Sequence, residues 1–120
     1  MAPTASRGRT VVTMHLLDGA GRHTATATHH WVEHLRVPDL SVGTYSLPAG
    51  GTDPQQPHTE DEVYVCTGGR ATLWTPTASV PMSAGSVAFV PAGEEHRFID
   101  IEEDFTVIVI FGPAEGTRAA

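Results

Sequence analysis

The chain has 120 residues, 40% of them hydrophobic and 18% charged, and carries a formal charge of −7 with arginine as its only strong base. These values describe one ordinary globular domain, and the acidic balance excludes a nucleic-acid backbone as partner, since no basic stripe reverses the repulsion locally. The lone cysteine, Cys66, excludes an intrachain disulfide framework, and no apolar run reaches the roughly 18 residues of a membrane-spanning helix.

The start of the chain lacks the apolar centre of a secretion signal, so a cytoplasmic protein is expected. Residues 1–8 are small, polar and proline-bearing, a loose arm ahead of a single domain over residues 9–112 and a short tail over residues 113–120. Arg9–Leu17 is rich in β-branched and apolar residues and reads as a strand, followed by a turn at Asp18-Gly19-Ala20-Gly21. Arg22–Thr28 alternates weakly. Trp31–Val37 and Leu40–Leu47 read as strands, parted by Pro38-Asp39 and closed by Pro48-Ala49-Gly50-Gly51. Glu62–Thr67 and Gly69–Thr75 form a hairpin around a glycine pair. Val80-Pro81-Met82, broken by proline, belongs at a sheet edge. Gly85–Val90 ends at Pro91-Ala92-Gly93, and His96–Ile101 and Phe105–Phe111 follow with an acidic turn around their junction. About nine short strands without helical periodicity mean an all-β sandwich or barrel.

Between Gly51 and Val63 the chain crowds amides, a histidine and carboxylates against an apolar strand. Side chains alternate faces in an extended segment, so Gln56, His58, Glu60 and Glu62 share a parity. Imidazole nitrogen together with carboxylate oxygen suits iron, manganese, nickel or zinc, which makes this stretch a candidate metal site. Far along the chain, His96 follows the turn Pro91-x-Gly93 and starts a strand with its side chain on a defined face.

The two stretches together resemble the two sequence motifs of the cupins, small double-sheet jelly-roll barrels that hold a metal inside the barrel. His58, three residues, Glu62, six residues and Gly69 match the first motif. Pro91, one residue, Gly93, two residues, His96, three residues and Asp100 match the second, with Asp100 where asparagine is usual. The resemblance implies a cupin double-stranded β-helix, with Gln56, His58, Glu62 and His96 at the metal-ligand positions. Gln56 stands where the family usually has histidine, and Glu60 falls to a solvated rim. Two imidazoles and one carboxylate, with other positions open, form the set used by non-haem iron(II) oxygenases. The first expectation is therefore an iron-dependent dioxygenase acting on a small organic molecule. Manganese, nickel or zinc would instead serve a redox-neutral isomerase, cyclase or lyase, and a non-catalytic binding module is the alternative from another class. By the same resemblance Arg9–Leu17 is suited to pairing two copies as a homodimer.

Parity carries several neighbours inward with the ligands. Tyr64 and Cys66 follow Glu62 on one face, Phe98 follows His96, and with Tyr45 they form the expected substrate pocket. Cys66 reads as a buried, inert thiol. Arg36, Arg70 and Arg97 are the candidates for gripping an anionic substrate, although Arg97 has the opposite parity to His96. His29, His30 and His34 are spaced for a helical zinc pair, but their surroundings read as strand, so they are taken as surface residues, and His15 and His23 as structural.

Overall fold

The computed structural model describes residues 14–24 and 30–119, and among them every regular element is a strand. The strands are β1 (His30–Val37), β2 (Leu40–Leu47), β3 (Asp61–Gly68), β4 (Arg70–Trp74), β5 (Ser79–Ser83), β6 (Val87–Val90), β7 (Arg97–Ile99) and β8 (Phe105–Gly112). They form a five-stranded sheet in the order β1-β2-β8-β3-β6 and a three-stranded sheet in the order β5-β4-β7, with every pairing antiparallel. Chain neighbours β3 and β4 lie in different sheets, which corrects the hairpin expected around Gly68-Gly69: the strands wind between two layers around one core. That is the double-stranded β-helix. The proline-broken Ser79–Ser83 strand lies at the edge of its sheet, where a missing backbone donor costs least.

Alternation decides what goes inside. β3 buries Glu62, Tyr64 and Cys66 and leaves Val63 and Val65 half-buried on its other face. The core between the sheets is built on Leu47, Leu73, Met82, Phe98, Phe105 and Val107, with Phe98 packed edge-on against Tyr64 and tilted against Phe105, each at 4.8 Å between centroids. β2 is buried on both faces from Gly43 to Leu47, because the segment 18–24 crosses its outer side. There Gly21 N donates to Thr44 Oγ1 and Thr24 N to Ser46 Oγ, and Thr67 donates its hydroxyl to the Gly21 carbonyl. The buried hydroxyls of Thr44 and Ser46 thereby have partners.

Two positions demand glycine or its nearest substitutes. At Gly69 the backbone has φ +81°, and a Cβ would stand 2.1 Å from the Asp104 carbonyl oxygen. Asp100 has φ +50°, a left-handed conformation that asparagine and aspartate tolerate, so aspartate in the second motif keeps the backbone property that asparagine supplies.

The expected strand Arg9–Leu17 is corrected where it can be seen. Met14–Leu17 has no strand structure and exposes Met14 and Leu16, while residues 9–13 lie outside the described residues. His29 and most of the weak Arg22–Thr28 segment also lie outside them, and residues 22–24 form no strand. His34 bonds the Thr44 hydroxyl, His30 that of Thr24 and His23 that of Thr106, so these three histidines are hydrogen-bonded to hydroxyls around the β1–β2 side.

The segment after β8 is tied down. Ala114 is buried, and Glu60 accepts hydrogen bonds from Gly116 N at 2.7 Å, Arg118 N at 2.9 Å and the Thr59 hydroxyl. Glu60 is 1% exposed, which corrects its expected place on the rim. Burial by itself would raise the Glu60 pKa, but the bonds from Thr59 and the two amides outweigh it and hold the group below its ordinary value. A depressed folded pKa stabilises above the unfolded value, and that contribution is lost as pH falls through the folded value. Glu60→Ala should therefore cost about 1–3 kcal/mol in chemical denaturation at neutral pH. In the parent protein the Gly116 and Arg118 amides should lose their exchange protection only as pH falls below the ordinary glutamate range.

Candidate metal centre and cavity

Three backbone devices bring the two motifs together. β3 starts at Asp61 and turns Glu62 inward, opposite Val90 of β6 and Phe111 of β8. The turn at Pro91–Gly93 delivers His96 just ahead of β7. Gly93 N donates to the His58 carbonyl at 2.8 Å and Ala92 N donates to Asp61 Oδ1 at 2.9 Å, so the turn before His96 is stitched to the loop that carries His58. His58, Glu62 and His96 each offer one donor atom, and these atoms lie within 4.8 Å of one another.

The hydrogen bonds around His96 test whether a cation belongs there. His96 Nδ1 lies 2.8 Å from the Glu94 carbonyl oxygen, which only accepts, so Nδ1 carries a hydrogen. Its Nε2 lies 2.8 Å from Glu62 Oε1 and 2.9 Å from the Tyr64 hydroxyl. A lone pair on Nε2 would face a carboxylate lone pair, and only a positive charge reconciles them, whether a proton or a metal ion. Glu62 Oε2 is buried without a hydrogen-bond partner among the described residues. Such an orphaned carboxylate oxygen beside two imidazoles fits a divalent metal. Desolvation works to lower the His96 pKa, but hydrogen bonds to Glu62 and the Glu94 carbonyl, with the Glu62 charge, raise it overall.

Gln56 is corrected. Its side chain is exposed and lines no part of the cavity, while its neighbour Gln55 does. The alternation used to place Gln56 fails because residues 51–60 form a loop and not a strand. Gln55 Nε2 donates to Asp53 Oδ2, so the amide oxygen faces the other way, 3.1 Å from the Tyr64 hydroxyl and 3.3 Å from His58 Nε2. Asp53 also accepts from the Tyr45 hydroxyl and from Phe98 N at 2.9 Å. The sequence reading missed Asp53 and Gln55; the Asp53-Pro54 pair, a turn signal, was the available cue.

A cavity of about 290 Å³ opens beside Glu62 and His58. Tyr45 and Tyr64 line it, whereas Phe98 and Cys66 do not. Both share the right parity but sit deeper: Phe98 is packed between Tyr64 and Phe105, and the Cys66 thiol donates to the Gly68 carbonyl at 3.5 Å, with burial raising its pKa. The remaining wall comes from Trp31, Pro54, Val109, Phe111 and Glu115. The Trp31 indole lies directly on Gly43, where a Cβ would come within 2.2 Å of it. Glu115 Oε2 is 3.7 Å from His58 Nδ1, and burial raises the Glu115 pKa against the opposing pull of His58. The Tyr64 phenol is held well above its usual value by burial first, and then by the charges of Glu62 and Asp53. Arg36, Arg70 and Arg97 all lie outside the cavity. They pair with Glu33, with Glu102 and Glu103, and with Glu95, and Arg97 also stacks on Trp74.

Residues 43–111 match the cupin family, described as "Cupin domain". The chain belongs to that family. An uncharacterized protein of Streptomyces coelicolor is 45% identical to the cupin chain over 85 residues, covering 71% of this chain and 81% of that protein. A Klebsiella pneumoniae protein with a double-stranded β-helix domain superposes with a TM-score of 0.70 at 16% identity, covering 86% of this chain and 91% of that one. KdgF from Halomonas sp. gives 0.64 at 20% identity, with 71% and 78% covered. The DMSP lyase DddQ from Ruegeria pomeroyi gives 0.67 at 18% identity, and the match spans 82% of this chain but only 54% of that one. The structural likenesses carry the fold of this cupin.

Three substitutions separate the roles in the site. Glu62→Gln removes the carboxylate whose Oε2 lacks a partner and offers His96 Nε2 an amide donor in place of the Oε1 contact, so the metal-free protein should unfold at a similar denaturant concentration. Its metal affinity should fall by at least about a hundredfold in competition with a chelating dye. Gln56→Ala should leave stability within about 0.5 kcal/mol of the parent, whereas Gln55→Leu, which strips Asp53 of a donor, should cost about 1–3 kcal/mol.

Proposed function

We propose that this cupin is a metal-dependent enzyme acting on a small organic molecule. The observation that carries the reading is the cluster of His58, Glu62 and His96 donor atoms within 4.8 Å, beside a cavity with aromatic walls. In it the two imidazoles and the Glu62 carboxylate hold a divalent transition metal, with the Gln55 amide oxygen aimed at the same place. A bound iron(II) would supply dioxygen chemistry, and a redox-neutral ion would supply Lewis acidity. The ligand set favours the first, a non-haem iron dioxygenase.

A redox-neutral lyase or isomerase is the second reading, and one observation favours it. The Tyr64 hydroxyl and the Glu115 carboxylate both line the cavity. They can move a proton at the substrate, a task that oxygenation does not require of them. The fold likeness to a protein described as a DMSP lyase is compatible with that reading.

Elemental analysis of purified protein, followed by reconstitution with iron, manganese, nickel or zinc, should give about one metal ion per chain. His96→Ala should lose it. The enzyme reading fails if the parent protein takes up none of the four. With iron loaded, oxygen-electrode traces against phenols, diketones, thiols and amines divide the two chemistries. Oxygen consumed in step with substrate supports the dioxygenase, and substrate loss without oxygen uptake supports the lyase or isomerase.

A further inference from the structure

The walls of the cavity say more about its occupant than the ligand set does. Trp31, Tyr45 and Phe111 form one aromatic group, with Trp31 edge-on to Tyr45 at 6.5 Å and 64° and to Phe111 at 6.2 Å and 75°. Rings set at such angles present π-faces and edges from different walls to the same space. The Tyr45 hydroxyl donates to the Asp53 carboxylate, which adds electron density to that ring. Glu115 stands on the same wall system, brought there by Glu115 N donating to Ser41 Oγ at 2.9 Å and by the Glu60 clamp on the following amides.

Among the described residues no arginine lines this cavity, and the chain has no lysine. Arg36 is the arginine whose charge Glu115 feels, yet both oxygens of Glu33 hold it, at 2.8 to 3.2 Å. An anionic substrate would find no arginine or lysine among the described wall residues and would meet Glu115, leaving only a bound metal to offset its charge. The overall charge of −7 draws cations towards the protein and repels anions. An apolar cavity with several aromatic rings and one carboxylate matches the needs of an alkylated cation, which gains from ring quadrupoles and needs few hydrogen bonds.

We infer that the substrate carries a compact cationic group, an alkylammonium or similar onium, seated among Trp31, Tyr45 and Phe111 with Glu115 as its counter-charge. The inference rests on the cavity being the substrate site proposed above, and it names the substrate class for that site. Glu115 is then a specificity-determining residue, and the aromatic group recognises the cation whichever metal is bound.

Calorimetric titration with choline and with its neutral isostere 3,3-dimethylbutan-1-ol tests this on the full chain, both zinc-loaded and chelator-treated. Choline should bind at least about tenfold more tightly than the isostere in either state. Glu115→Gln should cut that preference by about threefold or more, and Trp31→Leu should remove most of it. Equal or weaker binding of choline overturns the inference, as does no binding of either compound, or a preference that both variants retain. Metal content measured on the same samples keeps the two readings apart. Metal uptake without cation preference defeats this inference and leaves the metal enzyme standing, while cation preference in a protein that takes up no metal does the reverse.

Discussion

The site depends on a buried carboxylate that lies outside the ligand cluster. Asp53, 7% exposed, joins three parts of the barrel: the Tyr45 hydroxyl from β2, the Phe98 amide from β7 and the Gln55 side chain from its own loop. Because a carboxylate only accepts, it dictates which way the Gln55 amide turns. That in turn decides that an oxygen, and not an NH2 group, faces His58 and Tyr64. Through Gln55, Asp53 thereby sets the polarity that meets His58 and Tyr64, neither of which it bonds. A buried charge is tolerable here because donors surround it; with fewer partners the same group would be a liability.

The backbone stitch between Gly93 and His58 does for the histidines what Asp53 does for the amide. The ligands come from a loop, a strand start and a turn, which are far apart in the chain. Left alone, each would fluctuate with its own loop. The Gly93 and Ala92 bonds make the second turn a continuation of the first loop, so the positions of His58 and His96 are coupled before any ion arrives. Preorganisation of this kind lowers the cost of ordering ligands on binding.

How much could be read from the chain follows the backbone conformation. β3 is a true strand, so alternation placed Glu62, Tyr64 and Cys66 inside without error. His58 and His96 were legible through motif spacing, which records a turn geometry that parity cannot. Gln56 was misplaced because the same alternation was carried into a loop, where successive side chains do not follow a period of two, whereas Glu60 shared the parity of Glu62 and was sent to the rim by motif spacing. Phe98 and Cys66 show a different limit. Parity says which face a residue occupies but not how deep along the barrel it lies, and both fall below the cavity floor. Trp31 went unnoticed as a wall because its place depends on Gly43, a residue on the neighbouring strand whose missing side chain leaves room for the indole.

Glu60 and Glu115 show how the end of the chain enters the site. Nothing in the local sequence links Glu60 to amides at 116 and 118; the link exists only because β8 returns beside β3. That return carries the chain past the cavity mouth, and the Glu60 bonds fix it there. Glu115 lies immediately before the first clamped amide, so its carboxylate is held against His58 and the cavity without needing a strand of its own. Glu60, whose carboxylate is spent on backbone amides, thus sets the place of the carboxylate that faces the cavity. Shortening the chain before Gly116 would remove both amide donors and leave Glu115 held by its Ser41 bond alone, loosening the carboxylate at the cavity while leaving every metal-ligand position intact.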